Sequence, residues 1–165
     1  MAYFISVCVS VSPLRWLLAA VMRHLSYLRP PDETILDGEG QPYLLRWHLS
    51  RKRDSGSWYL HRLIRPDADK AFHDHPWDFT TWVLSGGYCE IQFEYGRRLS
   101  SDTLIRGERR FRPANHTHRI LAVHPDTWTL VRTERRRQEW GFYDTDGNFT
   151  HWMAYSDQHK GRGRS

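Results

Sequence analysis

Ala71-Phe72-His73-Asp74-His75-Pro76-Trp77-Asp78-Phe79 sets two imidazoles one residue apart. On an extended segment side-chain direction repeats every two residues, so His73 and His75 share a side and Asp74 points to the other. Two imidazoles on one side can converge on a single metal ion at roughly 2.0–2.1 Å each. Histidine is also an ordinary surface and turn residue, and the chain has ten. What gives the pair meaning is whether the rest of the chain supplies a third ligand.

Outward from this segment the sequence reads as short strands. Residues 43–49 form an apolar and aromatic run that ends in the basic turn 50–56. Residues 58–65 follow, with Tyr59, His61 and Leu63 on one face and Trp58, Leu60, Arg62 and Ile64 on the other. Strands are also expected over 80–85 and 88–95 about Gly86-Gly87, over 118–123 and 127–133 about His124-Pro125-Asp126, and over 140–143 and 149–154. Asp144, Asp146 and Asn148 have the opening spacing of a calcium loop. Phe149 stands where its glycine belongs and Tyr155 where its glutamate belongs, so the segment reads as a hairpin turn. Many short strands separated by turns predict a mainly β sandwich or jelly roll.

Length and composition agree. The 165 residues suit one domain with its own core. Aromatics make up 14% of the chain, with eight Trp, eight Tyr and seven Phe, a richness that favours pleated, half-buried surfaces. Cys8 and Cys89 are too few for a disulfide framework, and a reducing cytoplasm is the expected compartment. The net charge of +5 permits nucleic-acid contact, with Arg51-Lys52-Arg53, Arg109-Arg110 and Arg135-Arg136-Arg137 as the basic clusters. Glu108, Glu134 and Glu139 dilute those clusters and no recognised nucleic-acid motif is present, so nucleic acid is not an expected partner.

At the N-terminal end, the apolar runs 3–12 and 16–22 both fall short of the roughly 18–20 residues of a membrane span. No basic start or small-residue cleavage site marks a signal peptide. Leu14, Leu17, Leu18, Val21, Leu25 and Leu28 mark one face of a helix, capped by Ser12-Pro13 and ended by Pro30-Pro31. The helix is expected to pack on its own domain. The resulting division is an N-terminal helix and connector over 1–42, a β-domain over 43–155 and a basic, disordered tail over 156–165.

The third histidine comes in Gly107-Glu108-Arg109-Arg110-Phe111-Arg112-Pro113-Ala114-Asn115-His116-Thr117-His118. Here the chain resembles the cupin superfamily, whose motifs run G-x5-H-x-H-x3,4-E-x6-G and G-x5-P-x-G-x2-H-x3-N. Gly107, Pro113 and His118 stand at the second motif's spacing, Asn115 replaces its inner glycine, and Ala122 replaces its final Asn. Asn tolerates the left-handed conformation that such a glycine takes. His73, His75 and Gly87 match the first motif. The resemblance spans roughly residues 55–143, and the His-Asp-His-Pro-Trp of 73–77 also looks like small uncharacterised cupin-like proteins of bacteria and bacteriophages.

The resemblance implies a cupin-type jelly-roll β-barrel in which His73, His75 and His118 hold one divalent metal. It also marks a departure, because Thr80 occupies the slot of the family's metal-binding glutamate. Asp78 is a candidate fourth ligand, and His116 competes with His118. Imidazoles suit Fe, Zn, Cu and Ni alike. By family analogy Fe(II) and an oxygenase reaction lead, on a small polar or anionic substrate that would offset the metal's charge. A non-catalytic cupin that binds a small ligand or holds a structural metal such as zinc is the alternative. Arg119 and Arg46 are candidates to clamp a carboxylate, Tyr143 to donate a hydrogen bond to a bound group, and Trp77, Trp82, Trp128 and Trp140 to line a pocket. Cys89 reads as a small buried residue, and an unpaired sheet edge would permit a homodimer.

Overall fold

A computed structural model describes residues 17–155, except for 18, 19, 22, 25, 26, 38, 39, 53, 54, 68–70 and 94–99. The expected tail and the first dozen residues lie outside the described residues. Twelve strands are described: β1 (Glu33–Leu36), β2 (Pro42–Lys52), β3 (Gly56–Leu63), β4 (Phe72–His73), β5 (Trp77–Ser85), β6 (Gly87–Gln92), β7 (Ser100–Ile105), β8 (Arg109–Arg112), β9 (His118–Val123), β10 (Thr127–Arg136), β11 (Gly141–Tyr143) and β12 (Phe149–His151). They form two six-stranded antiparallel sheets, ordered β1-β2-β3-β10-β5-β8 and β12-β11-β4-β9-β6-β7. This is a mainly β, cupin-type jelly roll.

The period-2 alternation of β3 holds as its sequence implies. Tyr59, His61 and Leu63 face the interior between the sheets, where Leu44, Leu63, Val83, Tyr88 and Leu104 form the main core. The opposite face of the first sheet carries a second cluster, Trp47, Leu60 and Trp128, with the two indoles stacked at 5.4 Å. The Trp47 indole N–H donates to the Arg29 carbonyl and Arg23 pairs with Asp126, which ties the N-terminal segment to this face. The described residues from Leu17 to Leu28 are helical, but Leu17, Val21 and Leu28 are exposed, so these members of the expected apolar face do not pack on the domain.

Three strands were not legible. β1 lies in the segment read as a connector and pairs with β2. β7 and β8, which pair with β6 and β5, carry polar and basic residues instead of an apolar alternation. Asn115 does not adopt the left-handed conformation expected of it; among the described residues Asp126 alone does so without being glycine. The loop closes through a His116 N–H to Pro113 C=O bond instead. Asp144 accepts the Asp146 and Asn148 N–H groups, as a hairpin turn between β11 and β12 requires.

Candidate metal centre

Strand pairing assembles the centre. His73 on β4 lies directly opposite His118 on β9, so their side chains emerge on the same face of the second sheet. His75 follows two residues later in the bend before β5, where its N–H donates to the Ala114 carbonyl. The three rings form a near-equilateral group, with centroids 5.2 Å (73–75), 4.9 Å (73–118) and 5.2 Å (75–118) apart. One nitrogen from each ring lies within 4.8 Å of the others.

The donor set fits a transition metal. His75 Nε2 and His118 Nε2 are 3.0 Å apart. Two nitrogens held at about 2.1 Å from one ion are separated by about 3.0 Å at a right angle and about 3.4 Å at the tetrahedral angle. Burial holds His73 down at about 4, Asp67 opposing this and His118 adding to it. Burial also holds His75 well below the ordinary imidazole range, helped by the positive charge of neighbouring histidines and Arg46. Both therefore stay neutral near pH 7, as ligation requires.

Glu90 on β6 fixes the third imidazole. It is fully buried, and its Oε2 accepts from His118 Nδ1 at 2.8 Å. Its other oxygen meets the Arg112 guanidinium, which also reaches Asp102 at 3.3 Å. Burial opposes ionisation of Glu90, yet the His116 and His118 imidazoles and Arg112 outweigh it and hold the carboxyl far below the usual range. An ionised Glu90 accepts and cannot donate, so the His118 proton sits on Nδ1 and the Nε2 lone pair faces His75. A carboxylate behind a histidine in this way orients and strengthens a metal ligand. His73 has a looser counterpart, with Nδ1 3.9 Å from Asp67, whose carboxylate also accepts the Ile120 N–H.

The other candidate residues are placed as follows. Asp78 accepts the Ala114 N–H at 2.7 Å and pairs with Arg137, and its carboxylate is not among the gathered donors. It ties the loop before β9 to the start of β5. Thr80 points away from the interior that its neighbours Phe79 and Thr81 line. His116 lies 5.0 Å from His118 ring to ring but faces Glu90, at 3.5 Å, so it joins a second grouping with Glu90 and His118. The Tyr143 hydroxyl donates to Asp74, and burial, together with the Asp74 charge, raises it to about 12. Asp74 is 3% exposed and also accepts from Gly141 N and Gln138 Nε2, locking β4 to β11. Arg119 stacks over Phe72, on the face of β9 opposite His118. Cys89 is half-buried.

A cavity of 380 Å³ opens from the histidines between the sheets. Trp77, Trp140 and Arg46 line it, whereas Trp82 and Trp128 lie on the outer face of the first sheet. Most of its wall is apolar, the usual character of a small-molecule site. Glu90, Arg112 and His61 carry weight that the sequence reading did not assign. The signal for Glu90 is its place two residues after Tyr88, on the same inward face of one strand.

No family model matches the chain, and no curated protein does. Solved structures do. The DMSP lyase DddQ from Ruegeria pomeroyi DSS-3 superposes with a TM-score of 0.51 at 15% identity, covering 78% of this chain and 75% of that one. KdgF from a Halomonas species gives 0.46 at 17% identity, covering 58% and 84%. Hydroxypropylphosphonic acid epoxidase from S. wedmorenis gives 0.46 at 17% identity, covering 64% of this chain and 57% of that one. The fold is shared with DddQ, and at 15% identity the likeness reaches no further.

Proposed function

We propose that this cupin-fold chain is a mononuclear metal protein, with His73, His75 and His118 as ligands, working as an Fe(II)-dependent oxygenase on a small polar or anionic substrate. The observation that carries the metal is the arrangement of His118, its Nδ1 proton held by buried Glu90 and its Nε2 lone pair turned to His75. Three neutral imidazoles leave the charge of a divalent ion uncompensated and its remaining positions open, which favours an anionic, chelating substrate. A bound ion would supply a Lewis-acidic, redox-capable centre.

The chain's own residues hold and shield that centre. Glu90 and Arg112 fix the His118 ring, and Asp74 pins the segment between His73 and His75 to β11. Phe79 packs edge-on against His75 at 4.5 Å and helps keep bulk water off that ring. A second reading, a ligand-binding cupin with a structural zinc ion, draws support from Thr80, which replaces the usual carboxylate and faces away from the cavity.

Elemental analysis of protein purified without chelator or affinity tag tests both. Near-stoichiometric iron that is absent from a His73→Ala/His118→Ala variant supports the oxygenase. Zinc in the same place supports the structural reading. No metal in either protein, even after anaerobic Fe(II) loading, overturns the metal centre.

A further inference from the structure

The same cavity contains a second polar group, remote in sequence from the three histidines. Arg46 on β2 lies directly opposite His61 on β3, both side chains facing inward. Arg46 Nε donates to His61 Nε2 at 3.0 Å, Arg46 Nη1 pairs with Glu33 at 2.9 Å, and the guanidinium lies over the Tyr59 ring at 5.2 Å. Three contacts therefore hold one guanidinium still. Among the described residues nothing bonds its Nη2.

The pairing also sets the state of His61. Arginine has no acceptor atom and does not deprotonate in proteins, so His61 Nε2 must present its lone pair and the ring proton must lie on Nδ1. Among the described residues that N–H has no partner either. Two donors, Arg46 Nη2 and His61 Nδ1–H, belong to one fixed pair on the cavity wall, with an apolar and aromatic lining around them. Both residues border the open cavity, and a ligand oxyanion there would accept from both donors in charge-assisted geometry.

We propose that Arg46 and His61 form an anchor for a carboxylate, so that the cavity takes a small acid with two ends, one carboxylate held here and the other end on the metal. The metal end rests on the function proposed above; the anchor rests on Arg46 and His61 alone. Holding the guanidinium in place beforehand lowers the ordering cost of binding, and the planar fork suits a carboxylate better than an ammonium would.

Calorimetric titration of Zn(II)-loaded protein tests this, using the unbranched diacids from malonate to adipate and the monomethyl ester of each. The expected result is one preferred chain length, bound at least about tenfold more tightly than its monoester, a loss of about 1.4 kcal/mol. Arg46→Lys keeps the charge and removes the fork, and should abolish that preference. His61→Phe keeps an aromatic ring and removes the second donor, and should weaken the diacid while leaving zinc content unchanged. Equal binding of diacid and monoester by the wild type overturns the anchor, as does a preference that survives Arg46→Lys in a protein of unchanged fold by circular dichroism. If the protein takes up no zinc, the metal centre has failed, and the acids are titrated into metal-free protein. An Arg46-dependent preference for acid over ester there still supports the anchor, and none overturns it.

Discussion

His118 and His61 are both inward-facing imidazoles on the walls of one cavity, and their neighbours give them opposite chemistry. Behind His118 stands a carboxylate, so Nδ1 is protonated and Nε2 offers a lone pair. Beside His61, on the same cavity wall, lies a guanidinium, so Nε2 is the acceptor and Nδ1 offers a proton. The first suits a metal cation and the second an anion. What decides an imidazole's role here is the partner that fixes its other nitrogen.

The largest effect in that comparison should come from Glu90→Ala. It leaves the Arg112 guanidinium, with 6% of its side chain exposed, without its closest partner. Breaking a buried pair from one side costs about 3–5 kcal/mol, to be read from the denaturant midpoint of the metal-free protein. Glu90→Gln is the sharper probe, because an amide of similar shape cannot enforce the Nδ1 proton. Zinc or cobalt affinity should fall roughly 10- to 100-fold, the usual cost of losing a partner behind a metal ligand.

Acid sharpens the contrast next. His61, His73 and His75 are neutral in the fold because burial depresses them, whereas unfolded they titrate near 6.5. The unfolded chain therefore binds more protons as pH falls below about 6.5, and stability declines with it, by up to about 1.4 kcal/mol per unit for each group. For His73 the decline ends near pH 4. Urea midpoints of metal-free protein between pH 7 and 5 should drop, and His61→Phe should flatten part of that drop. The smallest expected effect is that of Thr80→Glu. A glutamate in the motif's slot would lie on the far face of β5, so metal affinity should change by no more than about twofold, the range of ordinary surface changes.

These residues also show how far the sequence could be read. The jelly roll was legible because β2, β3, β5, β9 and β10 are short runs rich in apolar and aromatic residues, separated by recognisable turns. His73, His75 and His118 were legible because each lies in a segment whose spacing is itself informative, and the β4–β9 pairing brings them together. Glu90 was not, since its value depends on a β6–β9 register that links residues about thirty apart. His61 and Arg46 become a pair only across the β2–β3 register. Arg119 follows His118 in the chain and Tyr143 has no such marker, and long-range contacts engage both elsewhere: Tyr143 with Asp74, Arg119 with Phe72. β7 and β8 escaped notice because their inward residues include Asp102 and Arg112, partners of a part-buried ion pair instead of apolar core.

The central claim is that the His118 Nε2 lone pair, fixed by Glu90, is a metal ligand while His61 is not. Nitrogen-15 NMR of histidine-labelled protein, recorded before and after one equivalent of Zn(II), addresses it directly. The account predicts that His118 begins as the Nδ1–H tautomer and His61 as the Nδ1–H, Nε2-acceptor tautomer. Zinc should then shift His118 Nε2, together with His73 and His75, and leave His61 in place. A His118 that carries its proton on Nε2, or a spectrum unmoved by zinc, would contradict the account.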